Sequence, residues 1–257
     1  ILDMQMYESV EADNALRHPR HVMQKVRKCH QVFEKILKDR DIQIDPLPRM
    51  HSEREIRPSD VLGGVNHLIK EISKIQSKAS TPKTEYVSGK LPSDVFNNLK
   101  KICRAAHVEI TPPDVYRPAK VVNENMKIIF SNQLSKRSQP SPQQFTGKIP
   151  ADVYKEAELF LNDLRILALN PDYSIPGGVV IPNTLKDKTP EPQDVMNLMN
   201  DALAETKAMK YTLHIHNVTE LPPLDTTKTP SDVFGQIHEA RLIVQELIEH
   251  EAMLDKE

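Results

Sequence analysis

The chain has 257 residues, 39% apolar and 27% charged, with 34 basic against 36 acidic side chains and a formal net charge of −2. That length suffices for one large domain or two ordinary ones with a sizeable core, and the balanced charge lacks the basic surplus that nucleic acid demands. No apolar run approaches the ~20 residues that span a bilayer, and the 20 prolines are spread between apolar-periodic segments rather than gathered into a low-complexity tract.

The chain opens on Ile1 with no charged and apolar leader behind it, which predicts a processed or trimmed product. Residues 1–17, with Met4, Met6, Val10 and Leu16, predict a short helix ahead of the first strong signal. That signal is HPRHVM, ending at Met23, and it turns out to be the degenerate copy of a phrase. P-x-D-V recurs at Pro58–Val61, Pro92–Val95, Pro112 or Pro113 to Val115, Pro150–Val153, Pro192–Val195 and Pro230–Val233. In the first copy His21 stands where the others carry aspartate. A large apolar residue follows each valine: Met23, Leu62, Phe96, Tyr116, Tyr154, Met196 and Phe234.

The first half of the phrase reads as a helix start. Proline suits the first helical position, where its missing N–H would go unpaired and its φ is already helical. Asp60, Asp94, Asp114, Asp152, Asp194 and Asp232 then fall in the first turn, facing free backbone N–H groups and the positive end of the helix dipole. Thr111 with Asp114, and Thr229 with Asp232, also fit the threonine-x-x-acid capping pattern. Helix starting accounts for all six carboxylates, so a ring of catalytic acids is not expected.

The second half launches an apolar stripe. Offsets of 0, 4, 7, 11 and 14 from the valine give Val22, Val26, Cys29, Phe33 and Ile36 in the first copy and Val233, Ile237, Ala240, Val244 and Leu247 in the last. Such spacing puts the side chains on one helical face. Seven helices are predicted, at roughly 19–39, 58–77, 92–106, 112–131, 150–169, 191–213 and 230–254. Pro118 conflicts with the fourth: that helix is either kinked or starts one turn later.

The valine separation is 38 or 39 for the pairs 22/61, 115/153 and 195/233, the mark of stacked supersecondary units. Each unit contributes one helix and a long proline-bearing connection, such as residues 42–57, 77–90, 135–148, 170–191 and 217–228. Connections above about 12–15 residues are uncommon in compact domains. An extended segment of about 14 residues can reach back along a 20-residue helix, so neighbouring helices can run parallel. Only residues 107–111 form a short turn, which predicts an antiparallel hairpin of the third and fourth helices. The expected fold is therefore an all-α, seven-helix repeat array or bundle, either one domain over 1–257 or divided into 1–110 and 111–257.

Candidate chemistry is sparse. Cys29 lies on a stripe and Cys103 beside one, so both are expected to pack as small hydrophobes ahead of forming a disulfide. His18 with His21, and His214 with His216, lack the convergent ligands zinc needs, and no metal or cofactor is expected. Gly63-Gly64 and Gly177-Gly178 belong to no phosphate-cradling loop. Phe96, Tyr116, Tyr154 and Phe234, with Met23 and Met196, flank the stripe; widening of the buried face is the first expectation and a ligand-lined pocket the second.

The leading functional expectation is a non-catalytic helical scaffold that binds a protein partner or self-associates, from a bacterial envelope protein exported to the periplasm. A sensory domain holding a small ligand between helices comes next. An enzyme with its site in the long connections, around SIPGGVVIPN at 174–183, comes third.

Overall fold

The computed structural model describes residues 15–47, 55–74, 89–106, 108–182, 185 and 188–254. The short helix expected in residues 1–17 falls almost wholly outside them. Among the described residues there are seven α-helices and no strand: α1 (Pro19–Lys38), α2 (Pro58–Ser73), α3 (Pro92–Ala105), α4 (Pro112–Gln133), α5 (Pro150–Leu167), α6 (Pro192–Thr212) and α7 (Pro230–Leu254). Every one begins on the proline of its repeat.

The motif aspartates act as the helix-start reading requires, through one recurring bond. Each carboxylate accepts the backbone N–H of the residue just before the proline: Arg57 to Asp60 (2.8 Å), Leu91 to Asp94 (2.9 Å), Thr111 to Asp114 (3.0 Å), Ile149 to Asp152 (3.0 Å), Glu191 to Asp194 (3.1 Å) and Thr229 to Asp232 (2.8 Å). This is the acidic half of a capping box, and it needs no hydroxyl at the N-cap. Where a hydroxyl is present, Thr111 and Thr229 donate it to the same carboxylate at 2.8 and 2.7 Å. The degenerate first copy obeys the same rule, because His21 Nδ1 accepts the N–H of His18 at 3.0 Å.

Pro118 lies in the second turn of α4, which starts at Pro112 and not a turn later. Its ring removes the backbone donor that would close on the Asp114 carbonyl.

Hydrogen bonds between helices fix their directions. Between α5 and α7, Lys148 N–H meets Ser231, Glu156 meets His238, and Asp163 meets Arg241 and Gln245, so residue numbers rise together and the two helices are parallel. Asn123 with Gln236 and Glu239, and Tyr116 beneath Lys228, make α4 parallel to α7 as well. The long connections allow this by returning each chain segment to the same end. The connection between α4 and α5 is held by specific contacts: Gln139 donates to Ser131, and Phe145 meets Phe234 edge-on with ring centroids 4.8 Å apart.

Apolar side chains form two clusters. One draws on α4 to α7 and includes Phe130, Phe160, Met199 and Ile243, all completely buried. The other draws on α1 to α3 and centres on Met23, Val26, Leu68, Phe96 and Leu99. Cys29 and Cys103 form a disulfide across the second cluster, with Cα atoms 5.4 Å apart, against the expectation that they pack as free thiols. The Cys29 stripe position and the Cys103 flank face each other because α1 and α3 lie side by side.

The hairpin expected from the short turn does not form: α3 packs on α1, and α4 packs on α6 and α7. Each helix spends its buried face on its own cluster, so the two lie on different clusters and do not pair. Ile102, placed on the α3 stripe by its spacing, is 42% exposed. The buried face of α3 instead runs through Phe96, Leu99 and Cys103, rotated toward the disulfide.

Candidate functional site

The clusters meet where α1 crosses α6, and polar side chains make the joint. Arg17 pairs with Asp201 at 2.9 Å with both side chains buried. Glu205, fully buried, accepts Arg20 Nε at 2.9 Å, His21 Nε2 at 2.7 Å and the Val180 backbone N–H at 2.8 Å. Because His21 Nδ1 is already the cap acceptor, Nε2 carries the proton and donates. Burial alone would raise the Glu205 pKa, but these donors together hold it below the usual carboxylate value. Arg20 also reaches the carbonyls of Pro176 and Gly178 at 2.8 and 2.7 Å, and His18 meets that of Gly177. The turn at Gly177 and Gly178 has positive φ at both, and a Cβ on Gly177 would strike the His18 ring. Residues 176–180 are thereby strapped across the α1–α6 joint.

Alongside this joint a cleft of about 840 Å³ opens between α1, α4, α6 and the connection after α6. Among its lining residues are eight lysines and arginines against four acids, although the whole chain is slightly negative. Two of the cations are committed: Arg20 to Glu205, and Lys35 to Asp114 at 2.6 Å. Burial would raise the Asp114 carboxyl, but Lys35 and Thr111 bring it below its ordinary value.

The other six, Arg27, Lys28, Lys38, Arg117, Lys207 and Lys210, have no carboxylate partner among the described residues, and Arg117 instead donates to the Pro222 carbonyl at 2.7 Å. Lys28 is 2% exposed and donates only to Asn197 Oδ1, at 3.1 Å. Lys210 donates to Asn125 at 3.1 Å, to Thr219 at 3.2 Å and to the Asn217 carbonyl. Among the described residues Arg27 makes no hydrogen bond or ion pair, and its Nε is buried without a partner. Lys207 likewise has none. Desolvation first, then the nearby Arg27 and Lys210, pushes the Lys207 pKa down to about 7; desolvation lowers that of Lys210 to about 8.

The remaining walls are apolar. Met23, Val121, Met196, Leu203 and Ile215 line them, and Val218, Leu221 and Leu224 at the mouth are 69%, 36% and 47% exposed.

Of the residues singled out from sequence, His18, Met23, Asp114, Pro118 and Met196 line this cleft. Phe96, Tyr116, Tyr154 and Phe234 do not. Phe96 lies in the α1–α3 cluster under the Arg17 guanidinium, 4.3 Å from its ring centre. Tyr154 and Phe234 are buried in the other cluster, and Tyr116 packs against it beneath Lys228 at 5.0 Å. Asp60, Asp94, Asp152, Asp194 and Asp232 are spread over five helix starts and do not converge. His214 sits just past the end of α6 with φ of 56°, and it and His216 are exposed. No group of three metal-ligating side chains occurs among the described residues.

Spacing analysis missed Arg27, Lys28, Lys207 and Lys210. They flank the stripe, next to Val26, Cys29 and Met209, where a charged residue reads as the solvated edge of a helix. No family model, curated protein or solved structure matches the chain.

Proposed function

We propose that the protein is a non-catalytic helical domain that holds a small ligand in the cleft between α1, α4 and α6. The cleft itself carries the reading: its volume falls within the range of about 300–1,000 Å³ usual for ligand pockets, and its walls are mostly apolar with a few convergent polar groups. Binding is favoured over catalysis by the state of the acids and the histidine there. Asp114 is committed to Lys35 and the α4 cap, and His18 Nε2 is bonded to the Gly177 carbonyl, so neither is free to act as an acid or base over the cavity. The Cys29–Cys103 disulfide supports an oxidising compartment, in keeping with the exported envelope origin expected from the sequence.

Native mass spectrometry of protein purified without added ligand tests this. A copurified small molecule is expected, and Ala208→Phe, which fills the cleft from α6, should expel it while the melting temperature holds. Retention of the molecule by that variant would refute the site, and a bare chain from several expression hosts would refute the reading.

A second reading, partner binding by a scaffold, is favoured by Leu62 and Ile69. They are seven residues apart on one face of α2, and are 61% and 42% exposed. Concentration-dependent association that Leu62→Lys abolishes would support it; a monomer at all concentrations that captures no partner would count against it.

A further inference from the structure

Resting on the cleft as a ligand site, we propose that its ligand is an amphipathic organic anion, with the anionic head between Arg27 and Lys207 and the apolar body toward Leu221 and Leu224. The head group is a carboxylate, sulfonate or phosphate; what the site reads is one concentrated negative charge on an apolar body.

Three observations converge. Arg27 on α1 and Lys207 on α6 both line the cavity, lie close enough to repel one another, and have no hydrogen-bonding or ionic partner among the described residues. Polar groups buried in proteins are almost always satisfied, and an unpaired buried donor such as Arg27 Nε marks a place where something else completes the structure. Lys28, which feels the Asp194 and Asp201 carboxylates only at a distance, and Lys210, bonded only to neutral amide, carbonyl and hydroxyl oxygens, add positive charge without an ion pair. A protein with a slight negative net charge has thus gathered uncompensated cations in one partly enclosed place, which is costly unless an anion arrives.

The apolar requirement comes from the mouth. Val218, Leu221 and Leu224 stand exposed on the connection beside the cations, and an inorganic ion would leave them uncovered. A ligand with a hydrocarbon or aromatic body covers them, and the cavity is far larger than a bare phosphate or sulfate needs.

Protonation sharpens the inference. Arg27 from α1 and Lys210 on its own helix act on Lys207 directly. The cleft is also lined by His18 at the α1 N-cap, Arg20, Lys28, Glu34, Lys35 and Lys38 from α1, Glu55 ahead of α2, the Lys35-paired Asp114 and Arg117 from α4, Tyr211 from α6 and Glu220 from the connection after α6. With Lys207 near 7 and Lys210 near 8, both lose their charge as pH rises through that window. Affinity for an anion should therefore fall from pH 6 to pH 9, and binding near neutrality should take up a proton.

The test uses two fluorescent probes with the same ring system, anilinonaphthalene sulfonate and its neutral parent N-phenylnaphthylamine. One saturable site is expected, with the sulfonate binding about ten-fold or more tightly, the equivalent of one good charge-assisted contact. The double variant Arg27→Met, Lys207→Met should erase that preference. It should fold, because it removes unpaired charges, and an unchanged or raised melting temperature checks this. Decanoate or decyl phosphate should displace the sulfonate where decanol does not, and the stronger of the two identifies the preferred head group. Equal affinity for both probes would overturn the anionic inference and leave the ligand site standing. A sulfonate preference that survives the double variant would overturn the assignment to Arg27 and Lys207. Failure of both probes to saturate would remove the ligand site as well.

Discussion

In α4, α5, α6 and α7 the five stripe positions counted from the motif valine are all buried; α5, for example, buries Val153, Ala157, Phe160, Leu164 and Leu167 at 2% exposure or less. In α2 the same count finds Val65 and Ile72 only partly buried, and in α3 it finds Ile102 well exposed. All these helices begin with one motif, so the difference arises after the start. Each of the four C-terminal helices packs on two others of that group, whereas α2 and α3 pack on α1 alone. A helix with one neighbour has only a narrow strip to bury. The motif therefore sets where a helix begins and which face is apolar, while the number of neighbours sets how much of that face leaves water. The α1–α3 cluster makes up part of the deficit covalently, through Cys29–Cys103, as small cores commonly do.

The change expected to break this arrangement most severely is the one that makes the first repeat conform. His21→Asp restores the motif and keeps the cap, but it sets a carboxylate against the buried Glu205 in place of a donor. The cost should be about 3–5 kcal/mol, as for other broken buried pairs, and it should fall at the joint between the clusters. Glu205 would then need a proton to stay buried, raising its folded pKa above the unfolded value. Stability of the variant should therefore improve as pH falls and worsen as pH rises through that folded pKa. Chemical denaturation at pH 5 and pH 8 checks the sign, and a variant as stable as the parent at both would mean the joint carries no weight.

Next in size is loss of the disulfide. Cys29 and Cys103 close a loop spanning 74 positions, and Cys103→Ala should cost about 2–4 kcal/mol, chiefly through the freedom returned to the unfolded chain. The comparison predicts where the loss appears. Hydrogen exchange should accelerate in α2 and α3, and amides of α5 and α7 should keep their protection. Equal acceleration in both clusters would show that they unfold as one unit.

Much of the fold was legible because the phrase is a local device. Proline at the first position and an acid two residues on act on their own backbone, so helix starts could be read to within a residue or so. The alternation of long and short connections was harder to interpret, since length permits parallel packing without requiring it, and residues 107–111 allowed a hairpin that the competing burial of α3 and α4 prevents. The site was largely hidden. Arg27 and Lys207 are 180 positions apart and each looks like a solvated helix edge. Only the crossing of α1 and α6, itself dependent on the His21 exception and on Glu205, brings them to one cavity. Phe96, Tyr154 and Phe234 lie in the cores, where large side chains contribute most, and Tyr116 packs against one of them.

The smallest effects should separate what is local from what is not. Asp232→Ala in α7 and Asp60→Ala in α2 each remove one carboxylate from one backbone N–H, and each should cost about 1 kcal/mol. If the motif is a purely local device, the two losses should match although one helix is well covered and the other is not. Asp232→Asn keeps an oxygen acceptor and removes only the charge, so it should lose about half as much, the part due to the helix dipole. At Asp232 burial opposes ionisation, but the hydrogen bonds from Thr229 outweigh it and hold the folded pKa below the unfolded value. The Asp232 contribution is then complete above the unfolded pKa and vanishes as pH falls through the folded one, so parent and Asp232→Ala should converge in stability under acid. Parallel urea titrations from pH 7 to pH 3 would show it. A gap that stays constant down to pH 3 would mean the aspartate acts through packing and not through its charge.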